Sequence, residues 1–74
     1  MSITQDKKTK LEIANNIKKA RLKKNLTQVE VAKKAGINSN SYAKIERGIS
    51  SPKGVSLTKI AKALGVKASD ILPV

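Results

Sequence analysis

The chain has 74 residues and a formal net charge of +11, and it contains neither Cys nor His, which excludes disulfides, thiol chemistry and the usual zinc ligand sets. A charge of that size points to a polyanionic partner and by itself leaves DNA, RNA and an anionic membrane open. The carboxylates Asp6, Glu12, Glu30, Glu46 and Asp70 are dispersed among basic residues, so no acid/base pair is expected and the chain is predicted not to be an enzyme.

The first ten residues, MSITQDKKTK, are polar apart from Ile3 and carry no sustained periodicity, which predicts a flexible basic arm over 1–10 ahead of one domain over 11–74. From Leu11 the pattern changes. Ile13, Ile17, Ala20 and Arg21 share one helical stripe running to about Lys24, and Asn25 suits the C-terminal cap. Thr27 and Glu30 have capping-box spacing, so a second helix starts at Gln28, turns Val31, Ala32 and Ala35 inward, and stops at Gly36. Asn38 caps a third helix with Ser41 in its first turn, Tyr42 and Ile45 on its inner face, and Gly48 at its end.

Ile49 to Lys53 reads as a loop because Pro52 excludes a continuous helix. A fourth helix is expected to begin near Gly54 to Ser56, to bury Val55, Leu57, Ile60, Ala61 and Leu64, and to close at Gly65. A short fifth helix over 68–72 uses Val66, Ile71 and Leu72 as apolar contacts and ends at Pro73. Period-two alternation is missing, so the class is all-α. The core must be aliphatic, since Tyr42 is the sole aromatic residue. With no apolar run of bilayer length and no hydrophobic leader, the expectation is a cytoplasmic protein without membrane contact, cofactor or metal.

Between Gln28 and Arg47 the chain reads QVEVAKKAGINSNSYAKIER, which suits two short helices crossing steeply, with Ala32 at the close approach and Gly36 in the turn. LTQVEVAKKAGINSNSYAKIERG followed by SPKGVSLTKIAKALGV resembles the Cro/repressor (XRE) helix-turn-helix family over about residues 13 to 72. The resemblance implies a compact five-helix, lambda-repressor-like bundle whose segment 39–47 is the recognition helix in the major groove. Ser39, Asn40, Ala43 and Lys44 are then the base-contact candidates. Asn40 is able to pair with adenine, Lys44 to reach guanine, and Ala43 to touch a thymine methyl.

Phosphate contacts are expected from Gln28, whose family counterpart binds a phosphate at the start of the second helix, and from Asn38, Arg47, Ser50, Ser51 and Lys53. By the same resemblance, Arg21 and Glu46 form a partly buried structural salt bridge. Tyr42 departs from the family, standing where a smaller aliphatic residue is usual, so its hydroxyl is expected to reach water, phosphate or a partner. Lys53 and Gly54 also depart, standing where a Ser cap and a helix former are common.

These residues predict a sequence-specific double-stranded-DNA-binding transcriptional regulator, a homodimer on an inverted repeat with half-sites about 34 Å apart. The dimer contact is expected from Ile71, Leu72, Val74 and the loop before the fourth helix. The alternative is a protein-interaction or antitoxin-like module that binds a protein partner. An RNA-binding role ranks last, for want of aromatic stacking residues.

Overall fold

The computed structural model describes residues 2–73, with side chains described from Thr9 to Pro73. Its helices are α1 (Ser2–Lys23), α2 (Gln28–Ala35), α3 (Ser39–Glu46), α4 (Gly54–Leu64) and α5 (Ala68–Ile71), and the described residues contain no strand. The helices enclose a single aliphatic core centred on Ile17, Val31, Tyr42, Ile60, Leu64 and Ile71, each of them essentially inaccessible to water. α2 packs on α4, α3 lies against both α1 and α2, and α5 closes the bundle against α1 and α4.

Each short helix is delimited by its own residues. At the start of α2, Thr27 Oγ1 accepts from the Glu30 amide at 3.1 Å while Glu30 Oε1 accepts from the Thr27 amide at 2.8 Å, so the capping box is complete. Those bonds also lower the Glu30 pKa below its ordinary value. α2 ends at Gly36, whose φ of +69° is open to glycine without strain. The next amide, of Ile37, returns to the Ala32 carbonyl at 2.9 Å, and its side chain folds back on the core. Gly65 and Val66 repeat this ending on α4, with the Val66 amide 2.9 Å from the Ala61 carbonyl. α1 ends differently: Asn25 adopts the left-handed conformation at φ +56°, as suits one of the few other residues that tolerate it.

Several expectations are corrected. Residues 2–10, expected to form a loose arm, are the first part of α1. They contain neither Gly nor Pro to interrupt propagation from the packed turns that follow. Met1 lies outside the described residues. Along α1 the buried stripe is Ile13, Ala14, Ile17 and Arg21, with Ala20 half-buried at its edge. Val55 is 71% exposed rather than in the core. At 100° per residue it points nearly opposite to the direction shared by Leu57, Ile60, Ala61 and Leu64. Leu57 is half-buried.

Ile71 is 1% exposed within the single chain, so it is core and not a surface for a second copy. The Asn16 side chain fastens it by donating to the Ile71 carbonyl at 2.7 Å. Leu72 remains exposed, and Val74 lies outside the described residues.

Thr27→Ala is expected to lower unfolding stability by about 1 kcal/mol through loss of the cap. Ile60→Ala is expected to lower it by about 2–5 kcal/mol through an unfilled core. Urea titrations followed by circular dichroism measure both, and equal losses would contradict this account of where α2 and the core derive their stability.

Candidate nucleic-acid interface

α2 and α3 are joined by the turn 36–38, and α3 is short enough that its two faces are easily assigned. Tyr42, Ile45 and Glu46 point inward. Asn40, Lys44 and Arg47 follow at helical spacing on the opposite side and are all exposed, forming one polar and basic ridge. Ser39 is exposed on the first turn, to one side of that ridge. Ala43 is half-buried on the flank and offers only a methyl group.

The phase of α3 is held from behind. Arg21 Nε donates to Glu46 Oε2 at 2.7 Å, and Arg21 Nη2 donates to Glu46 Oε1 at 3.0 Å. Arg21 Nη1 also donates to the Leu26 carbonyl at 2.8 Å, and Gln28 Nε2 donates to Glu46 Oε1 at 3.0 Å. The pair is well shielded, with the Glu46 side chain only 2% exposed. Burial alone raises the Glu46 pKa, but the hydrogen bonds from the guanidinium of Arg21 and the Gln28 amide outweigh it, and the net shift is downward. The Arg21 pKa rises in turn, chiefly through its bond to Glu46.

The Tyr42 ring is fully buried, and its hydroxyl has no hydrogen-bond partner among the described residues. It therefore reaches neither solvent nor a surface phosphate, as the sequence had suggested it must. The inward phase of α3 carries it to the side of the Arg21–Glu46 pair, and burial drives its pKa well above the ordinary phenol value.

The residues expected at phosphates divide by what is already engaged. Gln28 is half-buried and its side-chain amide is held by Glu46, so the start of α2 offers chiefly the first backbone amides, which lack intrahelical partners. Asn38 Oδ1 caps α3 by accepting from the Asn40 and Ser41 amides at 2.8 and 3.3 Å, which leaves its Nδ2 to donate outward. Arg47, Ser51 and Lys53 are exposed and Ser50 is half-buried. The loop carrying the last three is folded against the end of α3 by the Ile49 and Ser50 amides, both directed at the Lys44 carbonyl at 3.0 and 3.4 Å.

Two contacts had no signal in the sequence. One is the Gln28 bond to Glu46. The other is Leu11 of α1 lying over Gly48, where a Cβ would meet Leu11 Cδ2 at 2.7 Å. A side chain at position 48 would displace Leu11, and the φ of +77° there itself favours glycine.

Comparison with known proteins supports the same reading. A family model described as helix-turn-helix matches residues 17–71. The cryptic phage CTXphi transcriptional repressor RstR of Vibrio cholerae is 34% identical over 59 residues, 80% of this chain and 53% of RstR, so the chain spans about half of that relative. An uncharacterised helix-turn-helix-type transcriptional regulator of Methanocaldococcus jannaschii is 42% identical over 57 residues, 77% of this chain and 86% of its own length. Among solved structures, the restriction-modification controller protein C.AhdI of Aeromonas hydrophila shares the fold, with a TM-score of 0.82 at 22% identity over 85% of this chain and 96% of that one.

Because the Glu46 pKa lies below its ordinary value of 4.5, the stability contributed by the pair is present above that pH and is lost as pH falls toward the folded-state value. Acid titration of the thermal midpoint is expected to show this loss, and Glu46→Gln to flatten that part of the curve while losing about 3–5 kcal/mol at neutral pH. Tyr42→Phe, which removes a buried hydroxyl without a partner, is expected to gain about 1 kcal/mol. A destabilised Tyr42→Phe protein would show that the hydroxyl contributes to the pair.

Proposed function

The chain belongs to the helix-turn-helix family, and from that premise we propose that it is a sequence-specific, double-stranded-DNA-binding transcriptional regulator that docks α3 in the major groove. The observation that carries this reading is the exposed ridge of Asn40, Lys44 and Arg47 opposite a buried Tyr42, Ile45 and Glu46. Asn40 is suited to adenine and Lys44 to the acceptor edge of guanine; Ser39 and Ala43 contribute smaller contacts at the side of the ridge. The backbone at the start of α2, with Gln28 and Asn38, and Arg47 with the Ser50, Ser51 and Lys53 loop grip phosphates on either side. The net charge of +11 supplies the attraction to the duplex.

Two copies act together on an inverted repeat, each α3 reading one half-site about 34 Å from the other. With Ile71 withdrawn into the core, the contact between copies falls on the segment between α3 and α4 and on the first turn of α4, where Ile49 and Val55 are 57% and 71% exposed. The cytoplasm, where such a duplex is accessible, is the place of action.

Selection from a random duplex pool at near-physiological salt is expected to enrich an inverted repeat. Asn40→Ala and Lys44→Ala are each expected to relax preference at one base pair per half-site, by about 1–3 kcal/mol. Lys53→Ala is expected to weaken all sites alike and to lower the slope of log affinity against log salt by about one. Failure to enrich any site, with binding that simply fades as salt rises, would reduce the interaction to charge attraction.

A further inference from the structure

The structure assigns a second binding surface to the flank of α1 that faces away from α3: we propose that an acidic, amphipathic helical segment of another protein docks there. An open groove of about 770 Å³ runs between α1 and the corner that joins α4 to α5. Its apolar lining comes from Ala20 and Val66, with Leu22 at the lip and 55% exposed. Lys19, Lys23 and Lys24 stand around it, all exposed.

Charge complementarity identifies the occupant. None of these three lysines is paired with a carboxylate; the Arg21–Glu46 bridge is the ion pair formed among the described residues. Lys24 extends over the end of α4, its Nζ only 3.4 Å from where a Cβ on Gly65 would stand. The one acidic residue at the groove, Asp70, is engaged in capping α5, accepting from the Lys67 amide at 3.0 Å. The groove thus joins apolar lining to three exposed lysines, complementary to a helix with an apolar stripe flanked by Asp or Glu. A nucleic-acid backbone matches the lysines but offers nothing apolar to Ala20, Leu22 and Val66.

The position also allows simultaneous occupancy. Leu11 and Arg21 lie on the side of α1 that meets α3 and the turn after it. Asn16, Lys19 and Lys23 follow one another at helical spacing on the other side, where Asn16 bonds the Ile71 carbonyl. A partner in this groove leaves the ridge of α3 uncovered, so the proposal is independent of the DNA-binding reading.

The test uses the full chain and amide chemical-shift mapping by NMR. The probe is a synthetic helical peptide with Leu at core spacing and Glu elsewhere, and polyglutamate serves as a charge-only comparison. The expected result is shifts concentrated at Ala20, Leu22 and Val66, retained when a DNA duplex is already bound. Leu22→Gln, at an exposed position and without a change of charge, is expected to weaken the peptide about tenfold while leaving DNA affinity unchanged. The proposal is overturned if the peptide does not bind, if polyglutamate binds as tightly, if duplex DNA displaces the peptide, or if Leu22→Gln has no effect on it.

Discussion

A guanidinium on α1 and a carboxylate on α3, 2.7 Å apart and largely withdrawn from water, determine where the interface helix points. Withdrawing two charges from solvent is costly, and their attraction offsets that cost only when the remaining donors and acceptors are also occupied. Here they are. Arg21 spends a further N–H on the Leu26 carbonyl, and Glu46 accepts an additional bond from Gln28. One ion pair thereby ties together α1, the turn that follows it, the start of α2 and the end of α3. Because Glu46 must face inward to receive these bonds, Asn40, Lys44 and Arg47 must face outward. A slip of one residue in α3 would rotate that ridge by about 100° and break the pair.

α2 and α3 have eight residues each, far below the length at which an isolated helix persists in water. They exist because side chains satisfy their N-terminal ends, backbone amides their C-terminal ends, and each buries an apolar face. The same economy explains the electrostatics of the surface. Glu30 and Asp70 are taken up in helix caps and Glu46 in the core, so three of the chain's few carboxylates serve the fold. The lysines, by contrast, remain largely in solvent, and the excess positive charge is carried where a polyanion can meet it.

α1 is the axis around which both surfaces are arranged. One flank receives α3 through Arg21 and through the close fit of Leu11 on Gly48; the other receives α5 through Asn16. Its exposed residues therefore do not form one uniform basic side. The stretch near α3 borders its exposed polar ridge, while the stretch near α5 borders a groove lined by apolar residues and lysines.

What the chain's own residue order determined was local. The Thr27–Glu30 spacing, Asn38, and Gly36 and Gly65 with the aliphatic residue after each announce helix ends, since these groups act on amides and carbonyls only a few residues away. The phases of α2 and α3 were equally legible, because Val31, Ala32 and Ala35, and Tyr42 and Ile45, repeat with the helical period. The motif in those two helices also marked Asn40 and Lys44 as outward-facing, and its family resemblance supplied the pairing of Arg21 with Glu46.

Tertiary packing alone decided the rest. Nothing in the short-range pattern stops α1 at Leu11, and nothing reveals that Val55 sits on the wrong side of α4 until Leu57, Ile60, Ala61 and Leu64 are seen to share one direction. Ile71 reads as an apolar residue near a chain end, available to a second copy, until α1 and α4 are found to enclose it. Tyr42 reads as amphipathic until the inward phase of α3 carries its hydroxyl beside a buried ion pair. In each case local spacing specifies which way a side chain leaves its own helix, whereas burial depends on which other helix stands there, and that is set by contacts between residues distant in the chain.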